Sequence, residues 1–196
     1  MLIKPYLVVK YNQGEISIQS FSDIIRFNLL YQKGGIWMDS TLLNFGKLPL
    51  YENIIANGFY SINHESKQKQ KIWGKVYPVK YTTYFLCAKR GSSIMKYCCD
   101  MYDEFYKKYS HCIDYFMNDY FLIICMKSKL GNDAINKVPF NQGNPYILDD
   151  AINKGETYQL EELTLCPQKC NWRKTNIEEI DSVIAKFDLD KCIFAD

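Results

Sequence analysis

Ser22-Asp23-Ile24-Ile25-Arg26-Phe27, then Leu29-Leu30-Tyr31, then Gly34-Gly35-Ile36-Trp37-Met38-Asp39-Ser40-Thr41 is the stretch on which the fold turns. Ser22 reads as a helix N-cap, since its side-chain oxygen suits an unpaired N–H of the first turn. Asp23 then stands where a negative charge complements the helix dipole. Ile24, Ile25, Phe27, Leu29 and Leu30 give that helix a wide apolar face. The paired glycines end it, because glycine closes a helix without a Cβ clash. Ile36-Trp37-Met38 reads as a short buried strand with Asp39 at its end.

Outward from there, Tyr6-Leu7-Val8-Val9 reads as an extended opening that turns at Asn12-Gln13-Gly14. Residues 61–80 are polar and irregular and read as a mobile loop, with Lys67, Lys69 and Lys71 solvated on it. Tyr84 to Ala88 reads as a second strand running into a turn at Lys89-Arg90-Gly91. Ser92 then caps a helix in which Ile94, Cys98, Met101, Phe105 and Tyr109 recur every three or four positions. From about Ile113 to Lys127 the next helix is apolar nearly all round, which predicts burial. The tail from Asn176 reads as an amphipathic helix through Ile177, Ile180, Ile184 and Phe187. Strand-like pieces alternating with helices predict an α/β class.

A hydrophobic fraction of 47% over 196 residues is enough for the core of one domain. The formal net charge of +2 argues against nucleic-acid binding. No apolar run reaches the length of a membrane span, and Met1 opens no secretory pattern, so the expected location is cytoplasmic, at most peripheral to the inner face of a membrane. Cys87, Cys98, Cys99, Cys112 and Cys125 sit in apolar stretches, where a free thiol behaves as a small hydrophobe. Cys166-Pro-Gln-Lys-Cys170 resembles half a zinc site, but only Cys192 lies downstream, and His64 and His111 are isolated.

Two places combine polar groups with burial. At Asp39-Ser40-Thr41, three oxygen-bearing side chains follow an apolar strand, and in α/β sheets the strand end is where ligands bind. Those oxygens suit Mg²⁺ or Mn²⁺ carrying a diphosphate, with Asp39 as the metal ligand. The plainer alternative is a turn after an edge strand, with Asp39 merely solvated. The second place is Asp119, inside the buried helix. A carboxylate there demands a partner or a cavity. It is either half of a structural ion pair, with Arg26 as the candidate partner, or a site carboxylate; the residues alone leave both open.

The segments Phe21-Ser22-Asp23-Ile24-Ile25-Arg26 and Gly34 to Thr41, together with Ile113-Asp114-Tyr115-Phe116-Met117-Asn118-Asp119-Tyr120, resemble blocks of the capsular polysaccharide synthesis protein family. More distantly they resemble glycosyltransferases with a sugar-binding Asp-x-Asp motif. The resemblance spans roughly residues 6–175, and two ordered blocks are more specific than a lone motif. It implies a GT-A-like α/β domain over 1–175, with 176–196 as a helical extension. It also implies a nucleotide-sugar donor and a capsular or other surface-glycan acceptor. Asp39 and Asp119 would be the catalytic carboxylates. Ser22, Asp23, Arg26, Gly35, Trp37, Ser40 and Thr41 would bind the donor.

Two departures from the family pattern qualify those implications. Thr41 stands where the second motif aspartate, commonly the metal ligand, would be. Only 21 residues precede Ser22, where related enzymes carry β-α units that hold the nucleotide base. A shortened member is therefore expected, with weak base selectivity and a tendency to form a homo-oligomer. The competing expectation is a non-catalytic module that binds a sugar or a partner chain.

Overall fold

The computed structural model describes residues 2–46, 57–63, 69–72, 75–78, 80–140, 143–171 and 176–187. His64, Lys67, Cys192 and residues 188–196 of the tail lie outside the described residues, as do the side chains of Lys69 and Lys71.

The chain opens with helix α1 (Pro5–Asn12), not with the expected extended segment. Pro5 occupies the first turn, where its missing N–H is not needed and its φ is already helical. Leu7 is buried beneath the helix while Val9 faces outward. Helix α2 (Ile18–Lys33) begins earlier than Ser22, because the Ser17 side chain accepts from the Ser20 N–H and acts as the cap. Ile16, just before that cap, is buried in the core. The ring of Phe21 stacks on Tyr11 with centroids 4.2 Å apart, which holds α1 against the start of α2. Ser22 and Asp23 thus stand inside the helix, where they share a face with Arg26.

At the far end, Gly34 (φ 72°) accepts the role of stop that the sequence predicts. A Cβ on Gly34 would lie 2.6 Å from the Arg90 backbone nitrogen, so this glycine also permits a close approach of two turns. Strand β1 (Gly35–Met38) follows but is largely exposed, not buried. It is an edge strand, and Ile36 is 49% exposed. Next come β2 (Leu42–Leu43), β3 (Phe59–Ser61), β4 (Lys69–Ile72), β5 (Lys75–Pro78) and β6 (Phe85–Ala88). The antiparallel pair β4–β5 replaces part of the loop expected over 61–80, with Lys69 opposite Pro78 and Ile72 opposite Lys75.

Helix α3 (Ser93–Lys108) starts after Ser92 as expected. Its buried stripe runs through Ile94, Cys98, Tyr102 and Tyr106, about one position round from the predicted Met101–Phe105 line. Helix α4 (Met117–Met126) is buried nearly all round, as its composition predicts, but starts four residues late. The carboxylate of Asp114 accepts from the Phe116 N–H at 2.6 Å, which favours a turn over a helix there and leaves Ile113, Tyr115 and Phe116 exposed. The chain continues through α5 (Lys129–Ala134), α6 (Ile147–Lys154), α7 (Leu160–Leu163), β7 (Gln168–Lys169) and α8 (Ile177–Ile184).

The architecture is mixed α and β with small sheets. The main sheet runs β1-β6-β3 with both pairings antiparallel, and β2 pairs antiparallel with β7. Helices α2, α3 and α4 enclose the main core, where Phe27, Tyr102, Phe121 and Leu122 meet Phe59, Phe85 and Leu86 of the sheet. Burying each of these large side chains stabilises the fold by roughly 1.5–3 kcal/mol. A second cluster gathers Phe45, Leu148, Leu163, Cys170 and Val183, with Ile180, Ile184 and Phe187 from α8 and its C-terminal end packed against it. No helix among the described residues is long and apolar enough to cross a membrane.

Candidate functional site

Helix α2 sets one wall of an open cleft of about 1160 Å³. Ile18, Gln19, Ser22, Asp23 and Arg26 line it, and their spacing of three to four residues places them on one face. The end of β1 contributes Trp37, Met38 and Asp39, and the following turn contributes Ser40 and Thr41. That turn is held at both ends. The Asp39 N–H donates to the Tyr84 carbonyl at 3.0 Å, and the Asp39 carbonyl accepts from Leu42 at 3.0 Å. Asn118 and Asp119 reach the same cleft from α4, and Tyr115 and Phe116 reach it from the turn before that helix.

Eight of the nine sequence-selected residues therefore line one cavity. Gly35 is the exception. It pairs with Ala88 in the sheet, and a Cβ there would meet nothing within 4 Å, so no close approach requires its lack of a side chain. Its φ of 101° is what needs glycine.

Arg26 organises the centre. Its guanidinium donates to the Thr83 carbonyl, contacts Asp39 Oδ1 at 3.3 Å and faces Asp23 Oδ1 at 3.5 Å. Its planar head lies 5.0 Å from the centre of the Trp37 ring. One buried nitrogen, Nε, has no hydrogen-bond partner among the described residues. The Trp37 Nε1 donates to the same Asp39 Oδ1 at 2.9 Å. Asp23 also accepts from the Tyr102 hydroxyl at 3.2 Å and from the Asn118 amide at 3.3 Å. Burial raises the Asp23 pKa to about 6, against the opposing pull of Arg26, Tyr102 and Asn118.

Asp119 is 3% exposed, and it does not ion-pair with Arg26, whose acidic neighbours are Asp23 and Asp39. Burial lifts its pKa to about 7, while the neighbouring Tyr81 hydroxyl pulls the other way. A carboxyl poised near neutrality in a cleft is suited to exchanging a proton with a ligand.

Lys169 is a charged cleft residue that the sequence did not reveal. Leu42 opposite Lys169 in the β2–β7 pair carries the lysine to the end of β1. There its Nζ lies 3.5 Å from Asp39 Oδ2, donates to the Thr41 hydroxyl and sits 4.9 Å from the centre of the Tyr84 ring. Burial lowers its pKa, and Asp39 opposes that shift. The available signal was a polar residue between two buried cysteines, Cys166 and Cys170, in the stretch that resembles half a metal site. Asn118, next to Asp119 on α4, also lines the cleft.

The family model described as capsular polysaccharide synthesis protein matches residues 1–188. No curated protein and no solved structure matches the chain.

Proposed function

The chain belongs to the capsular polysaccharide synthesis protein family, and from that premise we propose that it transfers a sugar from a nucleotide-sugar donor onto a capsular or other surface-glycan acceptor. The observation that carries this reading is the convergence of Asp39, Arg26 and Asp119 from three separate elements in one cleft. The cavity volume lies at or slightly above the range of about 300–1,000 Å³ typical of small-molecule sites. The reading includes a GT-A-like arrangement, in which a carboxylate at a strand end faces the donor. The mixed α/β architecture and the place of Asp39 after β1 support it.

In this mechanism the acceptor hydroxyl attacks the anomeric carbon of the donor sugar. The bond from that carbon to the diphosphate oxygen breaks, and its electron pair leaves with the diphosphate. Asp119 takes the proton from the acceptor hydroxyl, since its pKa of about 7 matches a general base at neutral pH. Asp39 is a positioning residue: it accepts from Trp37 and Arg26 and holds the floor of the cleft in place. Ser22 from α2, with Ser40 and Thr41 from the turn after β1, supplies hydroxyls to the donor.

The test is donor turnover. The full chain, incubated with a panel of nucleotide sugars without acceptor, is expected to release nucleoside diphosphate slowly from at least one. Asp119→Asn should reduce that release about 10²–10⁴-fold, the usual contribution of a general base. Binding of a nucleotide sugar with no release from the wild-type protein would instead establish a non-catalytic sugar-binding module.

A further inference from the structure

We propose that Lys169 receives the negative charge of the donor diphosphate, so that this site works without a divalent cation at Asp39. The inference rests on the donor-site reading above and names which groups carry its electrostatics.

The donor set around Asp39 does not fit a hard cation. Mg²⁺ and Mn²⁺ take several oxygen ligands whose lone pairs are free to face the metal. Asp39 Oδ1 already accepts from Trp37 Nε1 at 2.9 Å and lies 3.3 Å from the Arg26 guanidinium. Its other oxygen faces the Lys169 ammonium at 3.5 Å. The Thr41 hydroxyl, which stands where a second motif aspartate would be, is itself engaged by Lys169. A metal ion here would displace these donors and sit against two positive charges. Asp23 offers no relief, since its oxygens face Arg26, Tyr102 and Asn118. Among the described residues, no three His, Cys, Asp or Glu side chains converge as a metal cluster.

The same groups suit an anion. Lys169 is held at the cleft by the β2–β7 pairing and by the Cys170 N–H, which donates to the Thr41 carbonyl at 3.0 Å. An ammonium carries three donors; Thr41 accepts one, and Asp39 engages a second only weakly. The 3.5 Å separation from Asp39 is long for an ion pair and leaves the lysine charge incompletely neutralised. A partly desolvated ammonium favours a phosphate oxygen more than a solvated one does. Lys169 donates a hydrogen bond to the departing diphosphate and keeps its proton. The acceptor proton still goes to Asp119, so the step balances without a metal.

Calorimetric titration of the full chain with uridine diphosphate, guanosine diphosphate and inorganic pyrophosphate, first in EDTA and then in Mn²⁺, tests the inference. At least one ligand is expected to bind in EDTA, with less than about threefold change on adding Mn²⁺. Lys169→Gln should weaken that binding at least about tenfold, roughly the worth of one charge-assisted hydrogen bond. Lys169→Arg should retain most of it. Binding that is absent in EDTA and restored by Mn²⁺, or unchanged in Lys169→Gln, overturns the inference and leaves the donor site standing. No binding of any ligand in either condition sinks the donor-site reading, and this inference with it. The EDTA comparison uses the wild-type protein, so it stands even where a variant misfolds.

Discussion

Lys169 and Asp39 lie 3.5 Å apart across 130 positions of sequence, with the Thr41 hydroxyl bound to the same ammonium. The lysine is drawn in two directions. Burial disfavours its charge and lowers its pKa, whereas the Asp39 carboxylate raises it. Asp39→Asn removes the second influence and leaves the first. The Lys169 amine should then lose its proton more readily and react faster with an acylating reagent at pH 8. Mass-spectrometric mapping of acylation in the two proteins reads this directly. Equal or slower labelling in the variant would show that Asp39 does not govern the lysine.

Asp119 gives a pH dependence whose sign can be worked out. Its pKa is raised from 3.8 to about 7 in the folded chain. Between those values the folded state holds a proton that the unfolded chain has released, so stability falls as pH rises through that window. Asp119→Asn carries no charge to bury. It should melt above the wild type at pH 8, and the difference should narrow by roughly 2–3 kcal/mol at pH 5. Thermal melts of both proteins across that range are the check, and a gap that stays constant with pH counts against the shift.

Arg26 joins Asp23, Asp39, Trp37 and the Thr83 carbonyl, and both its side chain and that of Asp23 are nearly inaccessible to solvent. Arg26→Ala leaves Asp23 without its cation and should destabilise the fold by about 3–5 kcal/mol. Arg26→Lys should recover less than half of that loss, because a single ammonium cannot sit over the Trp37 ring and also reach the Thr83 carbonyl, Asp23 and Asp39 from separate nitrogens. Urea denaturation curves of the three proteins give the comparison. Full recovery by lysine would mean that charge alone matters at this position.

Gly34 and Gly35 are adjacent, yet their alanine variants should differ. Gly34→Ala forces a left-handed φ of 72° on alanine and drives its Cβ to 2.6 Å from backbone at Arg90. Gly35→Ala meets backbone strain only, of order 1–3 kcal/mol, with open space around the new methyl. The Gly34 variant should be the less stable by at least about 1 kcal/mol, the smallest difference expected of an overpacking clash. Equal denaturation midpoints would show that the turn at Arg90 yields freely.

Local chemistry was readable where neighbours in sequence decide it. Asp23 and Arg26 share a face because three residues make most of a helical turn, and this survives the shift of the helix start from Ser22 to Ile18. The Gly34-Gly35 stop, with Asp39 closing the next strand, follows from backbone freedom and strand length. Asp119 stood out because a carboxylate in an apolar helix needs a cavity or a partner, and it has the cavity. The start of α2 was misplaced because Ser17, Ser20 and Ser22 can all cap, and burial of Ile16 favours the earliest.

Long-range pairing decided the rest. Strand direction depends on the partner, so nothing in Ile36-Trp37-Met38 indicates that it lies antiparallel to β6 at an exposed edge. Nor does Pro167-Gln168-Lys169 reveal that two residues of β7 pair with β2 and deliver an ammonium to Asp39. Helix formation and chain reversal are set by contacts a few residues apart, which composition and spacing encode. The charge environment of the cleft depends on which distant segments fold against each other, and only the packed core settles that.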